Sequence, residues 1–345
     1  MTADAPAEAL KARGWRSWLG LTAGVLLLAA LTLAVGLRPV LAAVTSVSLP
    51  GFAAVCLAWL GVLALLGAAW MTAAPDAGWG RLPAFAWART VREAASDLLP
   101  FSQVGGLVLG ANAAAAAAGL SVAAVWASLV LDLTTEMVAQ LGYTLAGVAG
   151  LGWRLTQGRA GAGRIDLVIW GGLALTVVGA AVTAAFVLLQ RRGVGWAAGL
   201  AGRWLPGAVK GAESLQGELD RAYARPGALV LSTALHGAGW VGSGLVSWWL
   251  LRLMGSPLPV LSVLVVESLM AAAKSFGFAI PGALGVQEAA YALIGPLFGL
   301  PPQTALGLSL LKRARDLAVG APVLVLWRLG EGRRVARALR ATPAR

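Results

Sequence analysis

An all-α, polytopic integral membrane protein of about eight transmembrane helices is the fold this sequence predicts. Three observations carry that expectation. Hydrophobic residues make up 59 % of the 345-residue chain and charged residues 12 %, about half the roughly 25 % of soluble domains, too few to cover the surface of a soluble fold this size. Several uncharged runs approach the ~20 residues that cross a bilayer core of ~30 Å. Those runs are apolar throughout, whereas the strands of a membrane β-barrel alternate apolar and polar positions.

The elements follow in order. Residues 1–17 form a short polar leader with Lys11, Arg13 and Arg16. Trp18 to Gly36 is an uncharged run. A basic stretch before an apolar run also fits a signal peptide, but the many later runs favour an uncleaved first span. Gly51 to Trp70 is the second span, with Trp70 placed as an interfacial anchor. Met71 to Asp97 mixes Asp76, Arg81, Arg89, Arg92, Glu93 and Asp97 with Phe85, Trp87 and Val91. It reads as an amphipathic helix in the membrane interface or as a polar loop.

Leu98 to Leu131 carries no charge and is too long for one level span. Its start, Leu98-Leu-Pro-Phe-Ser-Gln-Val-Gly-Gly106, is rich in helix breakers. A broken or re-entrant helix over 100–119 is expected, then a span from Leu120. Backbone freed by Pro and Gly at membrane depth survives only against protein or a wet cavity. Apolar sequence continues beyond Asp132 and Glu136 to Trp153, as a second short span or a tilted extension. Leu167 to Leu189 is a clean span, and the amphipathic segment 190–225, with Trp196 and Trp204, links the two halves. Pro226 to Leu251 contains His236, and Leu258 to Ile280 is interrupted by Glu267 and Lys274. Pro281-Gly-Ala-Leu-Gly-Val-Gln-Glu288 is a second breaker-rich start, and a last span from Thr304 to Trp327 carries Lys312, Arg313, Arg315 and Asp316.

One membrane domain, 18–327, therefore divides into halves at 18–189 and 226–327, and 328–345 is a basic tail. The halves echo each other. Pro100 leads a Gly-rich segment before Asp132, and Pro281 leads another before Arg313, with the same offset in both cases. Repeats with broken helices in matching positions point to a midplane site in transporters. Basic residues at both ends place both termini in the cytoplasm.

Ionisable groups in the apolar runs are the sharpest functional signal. Insertion scales charge about 2.5–3.5 kcal/mol for each Asp, Lys or Arg at a helix centre. Asp132 and Glu136 lie four apart on one helix face, as do Lys312 and Asp316. On the functional reading these groups line a polar cavity. Its substrate-binding set is Pro100, Ser102, Gln103, Gly105, Gly106, Asp132, Glu136, Glu267, Lys274, Pro281, Gly285, Gln287, Glu288, Lys312, Arg313 and Asp316. Lys312 and Arg313 would hold an anionic group, and Asp132, Glu136 and Glu288 would balance charge or bind amines. On the bland reading they are salt bridges that fix packing, or charges snorkelling to the interface. His236 is a proton-relay group or, more commonly, a hydrogen-bond partner between helices.

The counts exclude other chemistry. A single cysteine, Cys56, excludes an intrachain disulfide and a cysteine-based zinc site, and a single histidine excludes multi-histidine metal clusters. The sequence gives no reason to expect a catalytic residue, metal or cofactor. The net charge of +12 sits mostly at span ends and in loops, where it meets anionic headgroups rather than nucleic acid.

The Pro281–Glu288 segment, followed by Gly299-Leu300 and Leu310-Leu-Lys-Arg313, resembles the signature of the flippase-like membrane proteins related to the transmembrane domain of lysylphosphatidylglycerol synthase. Leu99-Pro-Phe-Ser-Gln-Val-Gly-Gly106 and Asp132–Glu136 are most similar to the branch found with bacterial hopanoid biosynthesis genes. The resemblance covers nearly the whole chain. It implies a multi-pass protein of the bacterial inner membrane that moves a polar-headed lipid between leaflets. It further implies that Pro281, Gly285 and Glu288 form the broken-helix element and Arg313 the following basic position. Nothing after Trp327 has the length of the synthase's catalytic domain, so lipid aminoacylation is not expected of this chain alone. Membrane lipids are the expected partners. The rival readings are a lipid-modifying membrane transferase that uses the carboxylates as acid and base, and a non-catalytic scaffold for lipid-synthesis enzymes.

Overall fold

A backbone in hydrocarbon must satisfy its own N–H and C=O groups, and a helix does so within one segment. The computed structural model obeys this: no strand occurs among the residues it describes, which are 33, 37–99, 102–157, 170–171, 174, 176–190, 206–276, 280 and 283–341, with backbone alone at 102–103, 157, 206–210, 276 and 332–341. The protein is an all-α membrane protein.

The helices are α1 (Leu37–Thr45), α2 (Leu49–Ala73), α3 (Leu82–Leu98), α4 (Ser102–Ala118) and α5 (Val122–Gln157). After them come α6 (Thr176–Gln190), α7 (Pro206–Tyr223), α8 (Pro226–Leu253), α9 (Val260–Phe276), α10 (Val286–Ile294) and α11 (Pro302–Ala341). Among the described residues, α2, α5 and α8 are long and apolar enough to cross a membrane, and α6 and the Val104–Ala118 part of α4 are shorter apolar helices. The first apolar run, up to Gly36, lies almost wholly outside the described residues.

Helix starts and breaks follow local chemistry. The Ser48 hydroxyl accepts the Gly51 N–H at 3.3 Å and caps α2, with Pro50 in the first turn. Gly119 takes φ 64° and separates α4 from α5, so the break falls at the end of the expected re-entrant segment. Gly285 takes φ 80° and launches α10, a conformation that only glycine adopts without strain. With 9 residues, α10 spans about 14 Å, half of the ~30 Å hydrocarbon core. The second breaker-rich segment is thus a half-helix.

Two expectations change. The apolar stretch after Asp132 is an extension of the same helix and not a second short span. It belongs to one continuous 36-residue helix, α5, because no Gly-Pro pair interrupts it. The last span likewise runs unbroken for 40 residues through Pro322 into the basic tail, about 60 Å in all.

A third difference positions the site. Met71–Asp97, expected at the interface or in a loop, contains α3, which lies inside the bundle. Phe85, Ala88, Val91 and Ala95 are fully buried, and Arg89 and Arg92 are 2 % and 7 % exposed. Close approach makes this fit. A Cβ on Gly67 of α2 would lie 2.5 Å from the Ala86 Cα, and one on Gly106 of α4 would lie 2.7 Å from the Arg92 carbonyl oxygen. Small residues let helices sit this near each other where no hydrophobic force drives them together. Trp70 seals the α2–α3–α5 junction, edge-on to Phe85 at 5.5 Å and donating to the Ser128 hydroxyl at 3.1 Å. In the linking segment, α7 rests Leu219 and Ala222 against Ala73, Ala127 and Leu131. Trp196 and Trp204 lie outside the described residues.

Gly67→Ala should destabilise the protein by ~1–3 kcal/mol, because the neighbour it strikes is backbone and cannot rotate away. Gly61→Ala on the same helix meets nothing within 4 Å and should leave Tm in detergent unchanged or slightly raised. Equal melting of both variants would contradict the α2–α3 contact.

Candidate functional site

Helical spacing builds the first charged network. Arg89 and Arg92 lie three apart on α3, and Asp132 and Glu136 four apart on α5, so each pair projects from one face toward the other. Arg89 donates through Nη2 to Glu136 Oε1 at 2.8 Å and through Nη1 to Glu136 Oε2 at 3.1 Å. Arg92 bridges the two acids, donating to Asp132 Oδ2 at 2.6 Å and to Glu136 Oε2 at 2.9 Å. From α8, His236 Nε2 meets Asp132 Oδ1 at 2.9 Å, and both residues are fully buried. His236 is thus a link between helices. Glu93, one turn along α3, also meets Arg89 Nη2 at 3.3 Å, so two guanidiniums face three carboxylates, and forked hydrogen bonds of this kind are the stronger sort.

Asp132, Glu136 and His236 offer ligand atoms within 4.8 Å of one another, a grouping that could hold a metal ion. The carboxylate oxygens are already held by Arg89 and Arg92. A cation there would meet two positive charges at contact distance, so the arrangement suits an ion-pair network better than a metal.

The second network joins α9, α10 and α11. Lys312 donates to Glu267 Oε2 at 2.6 Å and to Tyr291 Oη at 2.7 Å, and the Tyr291 hydroxyl donates to Glu267 Oε1. Next to it, Glu288 accepts the Gly285 N–H at 2.7 Å, the Ser309 hydroxyl at 2.9 Å and the Arg313 Nη2–H at 3.1 Å. Gln287 donates to Ser309 at 2.8 Å. Glu288 is thereby a helix cap for α10 and its tie to α11 at once. Farther along α11, Arg315 stacks over the Trp59 ring at 3.8 Å and donates to Asp316 at 2.6 Å.

Between these networks lies a cavity of about 530 Å³, within the range of small-molecule sites. Five basic groups line it, Arg89, Arg92, Lys274, Lys312 and Arg315, and five acidic ones, Glu93, Asp97, Glu136, Glu267 and Asp316. Its wall includes Trp59, Tyr143 and Trp240, the last two stacked at 6.0 Å.

The expected site residues separate into groups. Glu136, Glu267, Lys274, Gln287, Lys312 and Asp316 line the cavity. Asp132 sits fully buried behind it, gripping Arg92. Gly285, Glu288 and Arg313 form the α10–α11 tie rather than the lining. Gly106 packs against α3, and Gly105 faces open space. Pro100 and Pro281 lie outside the described residues, as do the side chains of Ser102 and Gln103 at the start of α4. Sequence reasoning missed α3 as a wall, with Arg89, Arg92, Glu93, Ser96 and Asp97, and also Gln140, Tyr143 and Arg315. A usable signal was present: two arginines at helical spacing opposite two acids at helical spacing.

A family model described as the lysylphosphatidylglycerol synthase TM region matches residues 17–323. The chain belongs to this family. The match takes in every charged group that lines the cavity and all of α1 to α10. Membership in the lysylphosphatidylglycerol synthase TM family gives the protein a lipid-related role in a membrane. No curated protein and no solved structure matches the chain.

Asp132→Ala should cost ~3–5 kcal/mol of stability, because it strands Arg92 in a buried site. Glu288→Gln should also lower Tm by loosening α10 from Gly285 and Arg313. Lys274→Gln, at an exposed position of the cavity wall, should change stability by less than ~0.5 kcal/mol. Thermal unfolding in detergent micelles checks all three, and an Asp132→Ala protein as stable as Lys274→Gln would refute the network's structural role.

Proposed function

We propose that the protein binds the polar headgroup of a membrane lipid in this cavity and carries the lipid between leaflets. The observation that carries the proposal is a 530 Å³ cavity with charges of both signs on its wall, inside the membrane domain of a family with a lipid-related role. Charged side chains in a membrane interior are costly, and those facing a cavity mark substrate pathways. The acyl chains stay in lipid while the headgroup exchanges water for these side chains. Lys312–Glu267 and Arg89/Arg92–Glu136 keep the empty cavity's charges partnered and open to exchange contacts with an entering headgroup. The half-helix α10 is held by its cap, by Tyr291 to α9 and by Glu288 to α11, and a headgroup that took over these ties would release it to move.

The bacterial inner membrane as location, with both termini cytoplasmic, belongs to this proposal and rests on the basic termini. The link to hopanoid biosynthesis also belongs to it and rests on the resemblance of Leu99–Gly106.

Reconstitution into vesicles that carry lipids fluorescently labelled on one acyl chain tests the reading. Dithionite quenches only outward-facing label. Vesicles with the protein should lose nearly all fluorescence, and protein-free vesicles about half. Identical half-quenching in both would sink the proposal.

A further inference from the structure

The cavity's charges differ in how far they are already satisfied. Arg89 and Arg92 hold Glu136, Arg89 also holds Glu93, Lys312 holds Glu267, and Arg315 holds Asp316. Setting those pairs aside leaves Asp97 on α3 and Lys274 on α9. Both line the cavity, and among the described residues neither has an opposite charge within ion-pair distance.

Two further groups have unused capacity. The Arg315 guanidinium is 3 % exposed and lines the cavity, yet its Nη1 has no hydrogen-bond partner among the described residues. The Trp240 indole N–H, on the same wall, also lacks an acceptor. A buried donor without a partner is unfavourable, and an incoming oxygen would satisfy it. The donors call for an anionic, oxygen-rich group, and the Asp97 carboxylate calls for a cationic one.

We infer that the cavity takes a zwitterionic phospholipid headgroup, its phosphate against Lys274, Arg315 and Trp240 and its ammonium against Asp97. This rests on the lipid-binding reading and names its substrate class. The two free groups point the same way. Asp97 and Lys274 carry one charge of each sign, so a zwitterion meets both, whereas a purely anionic or cationic headgroup leaves one of them uncompensated away from water. An anionic headgroup would also face Asp97, and a cationic one Lys274. Recognition of this kind works through repulsion of the wrong ligand as much as attraction of the right one.

The test is native mass spectrometry of the delipidated full chain in detergent. It is offered an equimolar mixture of palmitoyl-oleoyl phosphatidylethanolamine, palmitoyl-oleoyl phosphatidylglycerol and the cationic lipid dioleoyl-trimethylammonium-propane. The ethanolamine lipid should be bound about tenfold over each of the others. Asp97→Asn should erase the preference over phosphatidylglycerol, and Lys274→Gln the preference over the cationic lipid. Binding of the glycerol or the cationic lipid as well as the ethanolamine lipid by the wild-type protein would overturn the inference while leaving lipid binding intact. Binding of none of the three would overturn the lipid-binding reading itself. The wild-type preference decides between these outcomes, so the test does not depend on how well the variants fold.

Discussion

The fork of Arg89 and Arg92 onto Asp132 and Glu136 is the constraint on which the rest of the molecule depends. Each charge alone would cost about 2.5–3.5 kcal/mol at the centre of a membrane helix. Facing one another across α3 and α5 at 2.6–3.1 Å, they become compatible with the interior and hold α3 there. With α3 inside, Glu93, Ser96 and Asp97 of its next turn become part of a cavity wall. Without the fork α3 would belong on the membrane surface, and the cavity would lose one side. His236 extends the same network to α8 through the second Asp132 oxygen, so three helices depend on one buried carboxylate.

The fold class was legible because composition and run length report directly on the bilayer. The half-helix at α10 was legible for a related reason: Pro281, Gly282 and Gly285 stand before an apolar run too short to cross. What escaped was the placement of α3. Its six charged or polar groups among apolar ones give the same pattern whether the helix lies on a surface or meets complementary charges inside, and only tertiary contacts separate the two. The site shows the same division. Intramembrane charge marked Glu267, Glu288, Lys312 and Arg313, but nothing local says which acid meets which base. Tyr291 closes the Lys312–Glu267 pair, yet an aromatic in an apolar helix carries no sign of that role.

Glu288 illustrates how a breaker-rich motif and an ionisable residue can serve architecture first. Its carboxylate caps a helix that begins at a positive-φ glycine, accepts a hydroxyl from Ser309 and binds Arg313. These bonds fully employ it away from the cavity. Lys274 and Asp97 are the opposite case: Lys274 stood out as a charge in an apolar run, Asp97 did not, and their availability makes both informative. In a membrane interior a charge that already has a partner mainly reports on folding, and one without a partner reports on a ligand.

The long helix α11 has a mechanical consequence. A helix advances ~100° per residue, so Lys312, Arg313 and Arg315 leave its axis in three different directions. One reaches Glu267 and Tyr291, one reaches Glu288, and one lies over Trp59. Three bearings on one turn act like the splines of a shaft: the helix cannot spin about its axis without shearing all of them together. Torque is thereby excluded as a way of opening the cavity. Tilt and lengthwise sliding remain, and either would be carried along the helix, past Pro322, toward the basic end of the chain.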